Sequence, residues 1–275
     1  MRLATIRTDD GLVTVRVDGE ETTEVARGDV ATLLDDPDWR ARAEDATGPT
    51  RSVESLDYAP LVAAPRKIIC IGLNYHSHIL EMGHDTPEDP TLFAKYPSAL
   101  VGAYDDIVLP RVAKHVDWEV ELGVVIGSPA RHVSEADAVA AIAGYTVVND
   151  ISMRDWQYRT TQWLQGKTFE SSTPVGPHLV TLDEVGDEPL ELRCEVDGEQ
   201  MQAGVTSDLV FGPAALVSYI SAIFTLEPGD LIATGTPSGV GHGRTPPRYL
   251  ADGETVVSRI EGVGECRNRC RAERR

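Results

Sequence analysis

The chain has 275 residues, of which 44 are acidic and 25 basic, for a formal charge of −19, and 41% are hydrophobic. Nucleic acid and anionic membrane surfaces are themselves polyanions, so neither is expected as a partner. The length allows one large domain plus a small one, with an ample core.

The start, "MRLATIRTDDGLVTVRVDGE", lacks the apolar core of a signal peptide, and no run of 18 apolar residues occurs anywhere. These features predict a cytoplasmic protein without a membrane span. Cys70, Cys194, Cys266 and Cys270 are scattered and read as reduced thiols.

Residues 1–60 read as a small N-terminal α/β domain. "LATI" and "LVTVRV" flank Asp10-Gly11, a hairpin signal. "VATLLDDPDWRARAEDA" has helical character interrupted by Pro37, and the polar "TGPTRSVESL" reads as a linker. Residues 65–270 form the predicted catalytic domain, where strand-like runs dominate. They are "KIICIGL", "TLFAK", "DIVLP", "VDWEVELGVVIG", "AGYTVVND", "HLVTL", "LELRCEV", "LIATG" and "ETVVSRIEG". Helical stretches are fewer: "NYHSHILEMG", "SEADAVAAIAG", "ISMRDWQYRTTQW" and "GPAALVSYISAIF". Ser134 is the predicted cap of the second, with Asp137 three residues on. Cys266 and Cys270 have no second His/Cys pair, so the end reads as a strand followed by a frayed basic tail. Long strands with occasional helices, without regular alternation, predict a β-rich α+β fold.

Chemistry concentrates in a few places. In a single strand Asp117, Glu119 and Glu121 would share one face, and three like charges so close need either water or a hard cation. Asp150 ends the strand "AGYTVVND" and is a candidate third oxygen donor for Mg²⁺ or Mn²⁺. A solvated acidic strand face remains the alternative. His78 and Glu81 fall at i, i+3 on a helix, where a carboxylate makes an imidazole a better base. Arg154 and Gln157 fall at the same spacing and together can hold a substrate carboxylate. Lys167 lies in a glycine-flanked turn, and "LIATGTPSGVG" is a glycine-rich loop without the lysine of a phosphate loop.

The blocks "GLNYHSHILEMG", "PTLFAKYPSALVG", "VDWEVELGVVIG", "GYTVVNDISMRDWQ", "QWLQGKTFE", "TPVGPHLVT", "LEPGDLIATGTPSGVG" and "IEGVGECRN" stand in the order found in the fumarylacetoacetate hydrolase superfamily, which the chain resembles over residues 65–270. The resemblance implies a β-roll like that family's C-terminal domain, and a homodimer. It implies a metal held by Glu119, Glu121 and Asp150, with Asp117 outside the ligand set. It further implies catalytic His78, Glu81 and Lys167 in and beside a lid segment, and substrate contacts from Arg154, Gln157 and Thr236. The reaction expected is hydrolysis of a C–C bond in a 2,4-dioxo acid of the acylpyruvate or fumarylpyruvate type. Oxaloacetate-type decarboxylation and isomerisation of a hydroxymuconate-like dioate are the alternatives, since both pass through a metal-stabilised enolate. A metal-stabilised binding module without turnover would have no need of His78, Glu81 and Lys167 together.

Overall fold

A computed structural model describes residues 1–274. A 12-stranded sheet runs through the molecule. Its order begins with Thr50–Ser52, Glu21–Arg27, Gly11–Asp18, Arg2–Thr8 and Thr173–Thr181. It continues through Ile142–Asn149, Val120–Ile126, Leu231–Ala233, Ile68–Gly72 and Thr91–Ala94. The predicted hairpin forms across Asp10-Gly11, and Gly11 takes φ +111°, which side-chain-bearing residues rarely adopt. Residues 1–60 extend the same sheet, because Arg2 and Leu3 pair with Val180 and Leu179.

One face of this sheet packs on a five-stranded sheet ordered Glu199–Val205, Glu191–Val196, Thr255–Ile260, Gly264–Ala272 and Ile107–Leu109. Trp118, Val120, Leu122 and Val147 fill the space between, against Leu192, Val196, Val256 and Ile260. Cys194, Cys266 and Cys270 belong to the same core as free thiols, and burial pushes Cys270 up to about 12. The helix Pro213–Ile223 buries Leu216, Val217 and Ile220 against Ile69, Ile71, Val124 and Ile126. Val30–Leu34 and Trp39–Glu44 are the two helices on either side of Pro37, and they place Leu33, Leu34 and Trp39 on Ile68 and Val125. Among the described residues no helix is long and apolar enough to cross a membrane.

Four local expectations need correction. The polar stretch after residue 46 contains the edge strand Thr50–Ser52, because Glu21, Thr22 and Thr23 offer it a ladder. The basic tail is not frayed through its length: Gly264–Ala272 is a strand paired on both sides, with alternate residues Cys266, Asn268 and Cys270 turned inward. Of the helix expected over "ISMRDWQYRTTQW" only Arg154–Gln157 forms: Ser152–Met153 is a short strand, and the next helical turn, Leu164–Lys167, begins beyond the stretch. Asp117 and Glu121 do not share one strand, since Val116–Asp117 pairs with Ser152–Met153 and a separate strand begins at Val120.

A partly buried histidine supplies a first testable consequence. His178 lies in Thr173–Thr181 against the Tyr58 ring, and burial, then the charge of Arg2, hold its imidazole at about 4 instead of 6.5. The unfolded chain therefore binds a proton between those values that the folded chain refuses. The stability so contributed is present above pH 6.5 and is lost as the pH falls towards 4. A shift of that size corresponds to about 3 kcal/mol. Urea midpoints at pH 7 and 4.5 should therefore differ less in His178→Leu than in the wild type.

Candidate active site

Glu119, Glu121 and Asp150 each offer a carboxylate oxygen, and these oxygens lie within 4.8 Å of one another in a buried cluster. Backbone register brings them together. Val120 pairs with Asn149, the Asp150 N–H donates to Glu119 O at 2.8 Å, and Glu119 N–H donates to the Asn149 side chain at 3.0 Å. Gln202, which the sequence did not single out, fixes the neighbouring turn. It accepts from Val120 N–H at 3.0 Å and donates to Thr236 Oγ1 and Pro237 O, each at 2.8 Å.

Cations surround two of the three carboxylates. Lys167 Nζ lies 2.5 Å from Glu119 Oε2 and 2.8 Å from Asp150 Oδ2. Arg154 Nη2 lies 2.8 Å from Asp117 Oδ2 and 2.7 Å from Glu119 Oε1, as an ion pair whose angles fall outside hydrogen bonding. Lys95, a second residue the sequence reading passed over, donates to Asp150 Oδ1 at 2.6 Å with its ammonium fully buried. Burial alone would raise the Glu119 pKa, but Lys167 and Arg154 together outweigh it and hold the carboxyl at about 2. Burial also opposes the charge of Lys167 and Arg154, yet their carboxylate neighbours win and raise both.

Glu121 is the exception. It accepts from Gly235 N–H at 2.8 Å and has no cation within ion-pair distance among the described residues. Burial, then Asp150 and Glu119, push its carboxyl well above the usual range. Four buried carboxylates, counting Asp117, thus face only Lys95, Lys167 and Arg154. A set of oxygen-only donors in which one carboxyl lacks a cation of its own fits a hard divalent cation.

All the remaining predicted residues except Glu81 line one cavity of about 60 Å³ with Glu119 and Glu121: they are His78, Arg154, Gln157, Lys167 and Thr236. His78 Nδ1 is 3.0 Å from Glu81 Oε2, on the helix His76–Glu81, so its free Nε2 is the nitrogen left to meet a substrate. This helix of the lid segment is docked, with Gly239 N–H donating to Glu81 Oε1 at 2.8 Å. Arg154 Nη1 donates to Gln157 Oε1 at 2.9 Å, which leaves the Gln157 amide NH₂ as a donor. The Thr236 hydroxyl is committed: it donates to Val120 O at 2.9 Å and accepts from Gln202. Asp117 is fully buried, which removes the solvent-facing alternative for it.

Leaving a buried charge without any partner costs about 3–5 kcal/mol. Lys95→Met leaves Asp150 only Lys167, which it shares with Glu119, and should lower stability by part of that amount in the presence of a chelator, read as a shift in the urea midpoint. An unchanged midpoint would mean that Asp150 does not depend on Lys95.

A profile of the fumarylacetoacetate (FAA) hydrolase C-terminal domain matches residues 67–271. The chain belongs to the fumarylacetoacetate hydrolase family. A human mitochondrial oxaloacetate tautomerase is 42% identical over 249 residues, spanning 90% of this chain and 75% of the relative. A solved Mycobacterium smegmatis protein superposes with TM-score 0.91 at 37% identity, covering 100% of both chains. The 5-carboxymethyl-2-hydroxymuconate delta-isomerase of the same organism gives 0.83 at 35% identity, over 99% of this chain and 100% of that one. The family contains hydrolases, isomerases and tautomerases, so membership establishes an enzyme family and leaves the reaction to the site chemistry.

Proposed function

We propose that the protein interconverts the keto and enol forms of a small 2-oxo dioate of the oxaloacetate type, with Mg²⁺ or Mn²⁺ held by Glu119, Glu121 and Asp150. The observation that carries this reading is the placement of His78, held by Glu81, on the same small cavity as Glu119 and Glu121, two of the three clustered carboxylates. The similarity to the human tautomerase, over most of this chain, supports it.

When bound, the ion polarises the 2-oxo carbonyl as a Lewis acid and so acidifies the adjacent C–H. The residues do the rest. Glu81 holds Nδ1 of His78, and Nε2 takes the proton from C3. The proton that leaves C3 is returned to the C2 oxygen, so no carbon–carbon bond breaks. Lys167 places a positive charge beside the oxygen where negative charge develops. Arg154 and the Gln157 amide hold the remote carboxylate, which is how a chain of charge −19 accepts a dianion. A homodimer acting on this small molecule is part of the proposal, and sedimentation velocity tests it.

One observation favours a second reading, hydrolysis of a 2,4-dioxo acid. Ile71, Leu73, Met82, Phe93 and Trp163 give the cavity an apolar wall that suits an acyl chain, and the His78–Glu81 pair can activate water as well as it can take a carbon-bound proton. The test is a substrate panel of oxaloacetate, acetylpyruvate, fumarylpyruvate and a hydroxymuconate, each with Mn²⁺ and with chelator, followed by NMR. Metal-dependent keto–enol exchange of oxaloacetate without cleavage is the expected result. Pyruvate released from acylpyruvates, with oxaloacetate exchange at the uncatalysed rate, would replace the tautomerase by the hydrolase. Loss of CO₂ from oxaloacetate would replace it by a decarboxylase.

A further inference from the structure

Asp117 has no place among the metal donors, yet it is fully buried and accepts from four groups. Oδ1 takes Trp118 N–H at 2.9 Å and Gly241 N–H at 2.6 Å. Oδ2 takes His242 N–H at 3.0 Å and Arg154 Nε–H at 2.8 Å. Two of these donors belong to the loop after Ser238, whose Gly239 N–H holds Glu81. The same loop is tied down by the Trp118 indole, which donates to Gly239 O at 3.1 Å. It has no room to rebuild. A Cβ on Gly239, at φ +102°, would stand 2.1 Å from Met201 O, and one on Gly241 would stand 1.9 Å from Arg248 O. A short rigid segment therefore touches Glu81 at one end and Asp117 at the other. On its other side Asp117 shares Arg154 with the metal donor Glu119.

We propose that Asp117 is a positioning residue with two effects: it sets the loop that orients Glu81 and hence His78, and it draws the Arg154 charge away from Glu119. The effect on the loop stands by itself, whereas its value for turnover and metal binding rests on the function proposed above. An asparagine at 117 would offer one oxygen, and its NH₂ would face two donors wherever it pointed. The loop then loses its seat, and Arg154 keeps its charge beside Glu119 without a counter-charge of its own.

Asp117→Asn in the full chain tests both effects, by amide hydrogen exchange and by Mn²⁺ titration calorimetry. Exchange should quicken at Gly241 and His242, and also about tenfold or more at Gly239, which bonds to Glu81 and not to Asp117. A purely local anchor would leave Gly239 unchanged, and that result overturns the coupling. The Mn²⁺ dissociation constant should rise about 10–100-fold, the usual effect of removing a residue that supports a ligand. In Asp117→Asn/Arg154→Met the repelling cation is gone, so most of the Mn²⁺ affinity should return while Gly239 stays fast. The double variant also serves if the single one does not fold, since it removes the stranded charge. A double variant as weak as the single, or weaker than wild type by the same factor when only it folds, overturns the role given to Arg154. Neither measurement uses a substrate, so an error in the proposed reaction leaves the test intact.

Discussion

Glu121→Gln should abolish Mn²⁺ binding and turnover while leaving the chelator-treated protein as stable as the wild type, or more so. The reason is the unequal sharing of charge in the buried cluster. Glu119 and Asp150 already have ammonium or guanidinium partners, while Glu121 has only the Gly235 N–H. Burial, Asp150 and Glu119 all favour its neutral form in the metal-free site. A glutamine reproduces that neutral state and cannot become the anionic donor. Asp150→Asn should also lose the metal, but it strands Lys95, whose one carboxylate partner among the described residues is Asp150, and should cost about 3–5 kcal/mol of stability as well; Glu119→Gln should lose the metal at a smaller cost, since Lys167 keeps Asp150 and Arg154 keeps Asp117. Metal binding takes the ionised form of Glu121, which the metal-free site disfavours. Calorimetry in two buffers of different ionisation enthalpy should therefore report proton release on Mn²⁺ binding, with affinity rising as the pH rises. Glu121→Gln that binds Mn²⁺ like the wild type would remove Glu121 from the ligand set.

Much of this site was legible in the sequence, and what escaped did so for physical reasons. The i, i+2 pair Glu119 and Glu121 was visible because strand alternation sends both to one side. Asp150 was visible because it ends an apolar strand. The His78–Glu81 and Arg154–Gln157 contacts are local, one helical turn each, and both pairs form at hydrogen-bond distance. Lys95 was invisible because a lysine after a short strand looks like any solvated lysine; only its partner Asp150, 55 residues away, makes it a buried group. Gln202 is hidden in the same way, since its partners are backbone and hydroxyl groups on other elements. Asp117 was placed outside the ligand set, and the carboxylate cluster leaves it there. Alternation assumed an unbroken strand, whereas the ladder breaks after Asp117 and sends its carboxylate to the glycine loop instead of the cavity. The pattern after Asp150 misled for a related reason: Ser152–Met153 is drawn into a ladder with Val116–Asp117, and the polar "YRTTQ" cannot bury a helical face, so only Arg154–Gln157 closes into a helical turn.

His78→Ala should lower the rate of oxaloacetate keto–enol exchange by about 10²–10⁴-fold, the usual effect of losing a positioned acid–base group. The Mn²⁺ affinity should survive, because His78 donates nothing to the carboxylate cluster. Glu81→Gln should have a smaller effect of the same kind. Glu81 reaches His78 Nδ1 at 3.0 Å and acts by fixing which nitrogen is free, a task an amide performs in part. The pair of variants also separates the two readings of the site. Removing the proton from C3 is the whole reaction in a tautomerase, so loss of His78 acts directly on the exchange rate. In a hydrolase the same nitrogen would work on water, and exchange at C3 of a substrate analogue would proceed nearly as before. The decisive measurement is deuterium uptake at C3 of oxaloacetate in D₂O, with Mn²⁺ saturating. Uptake that collapses in His78→Ala, with metal affinity unchanged, supports the tautomerase. Uptake that persists while acylpyruvate cleavage collapses assigns His78 to water and favours the hydrolase. Loss of Mn²⁺ binding in His78→Ala would mean that the imidazole supports the metal, and its role as a base would fall.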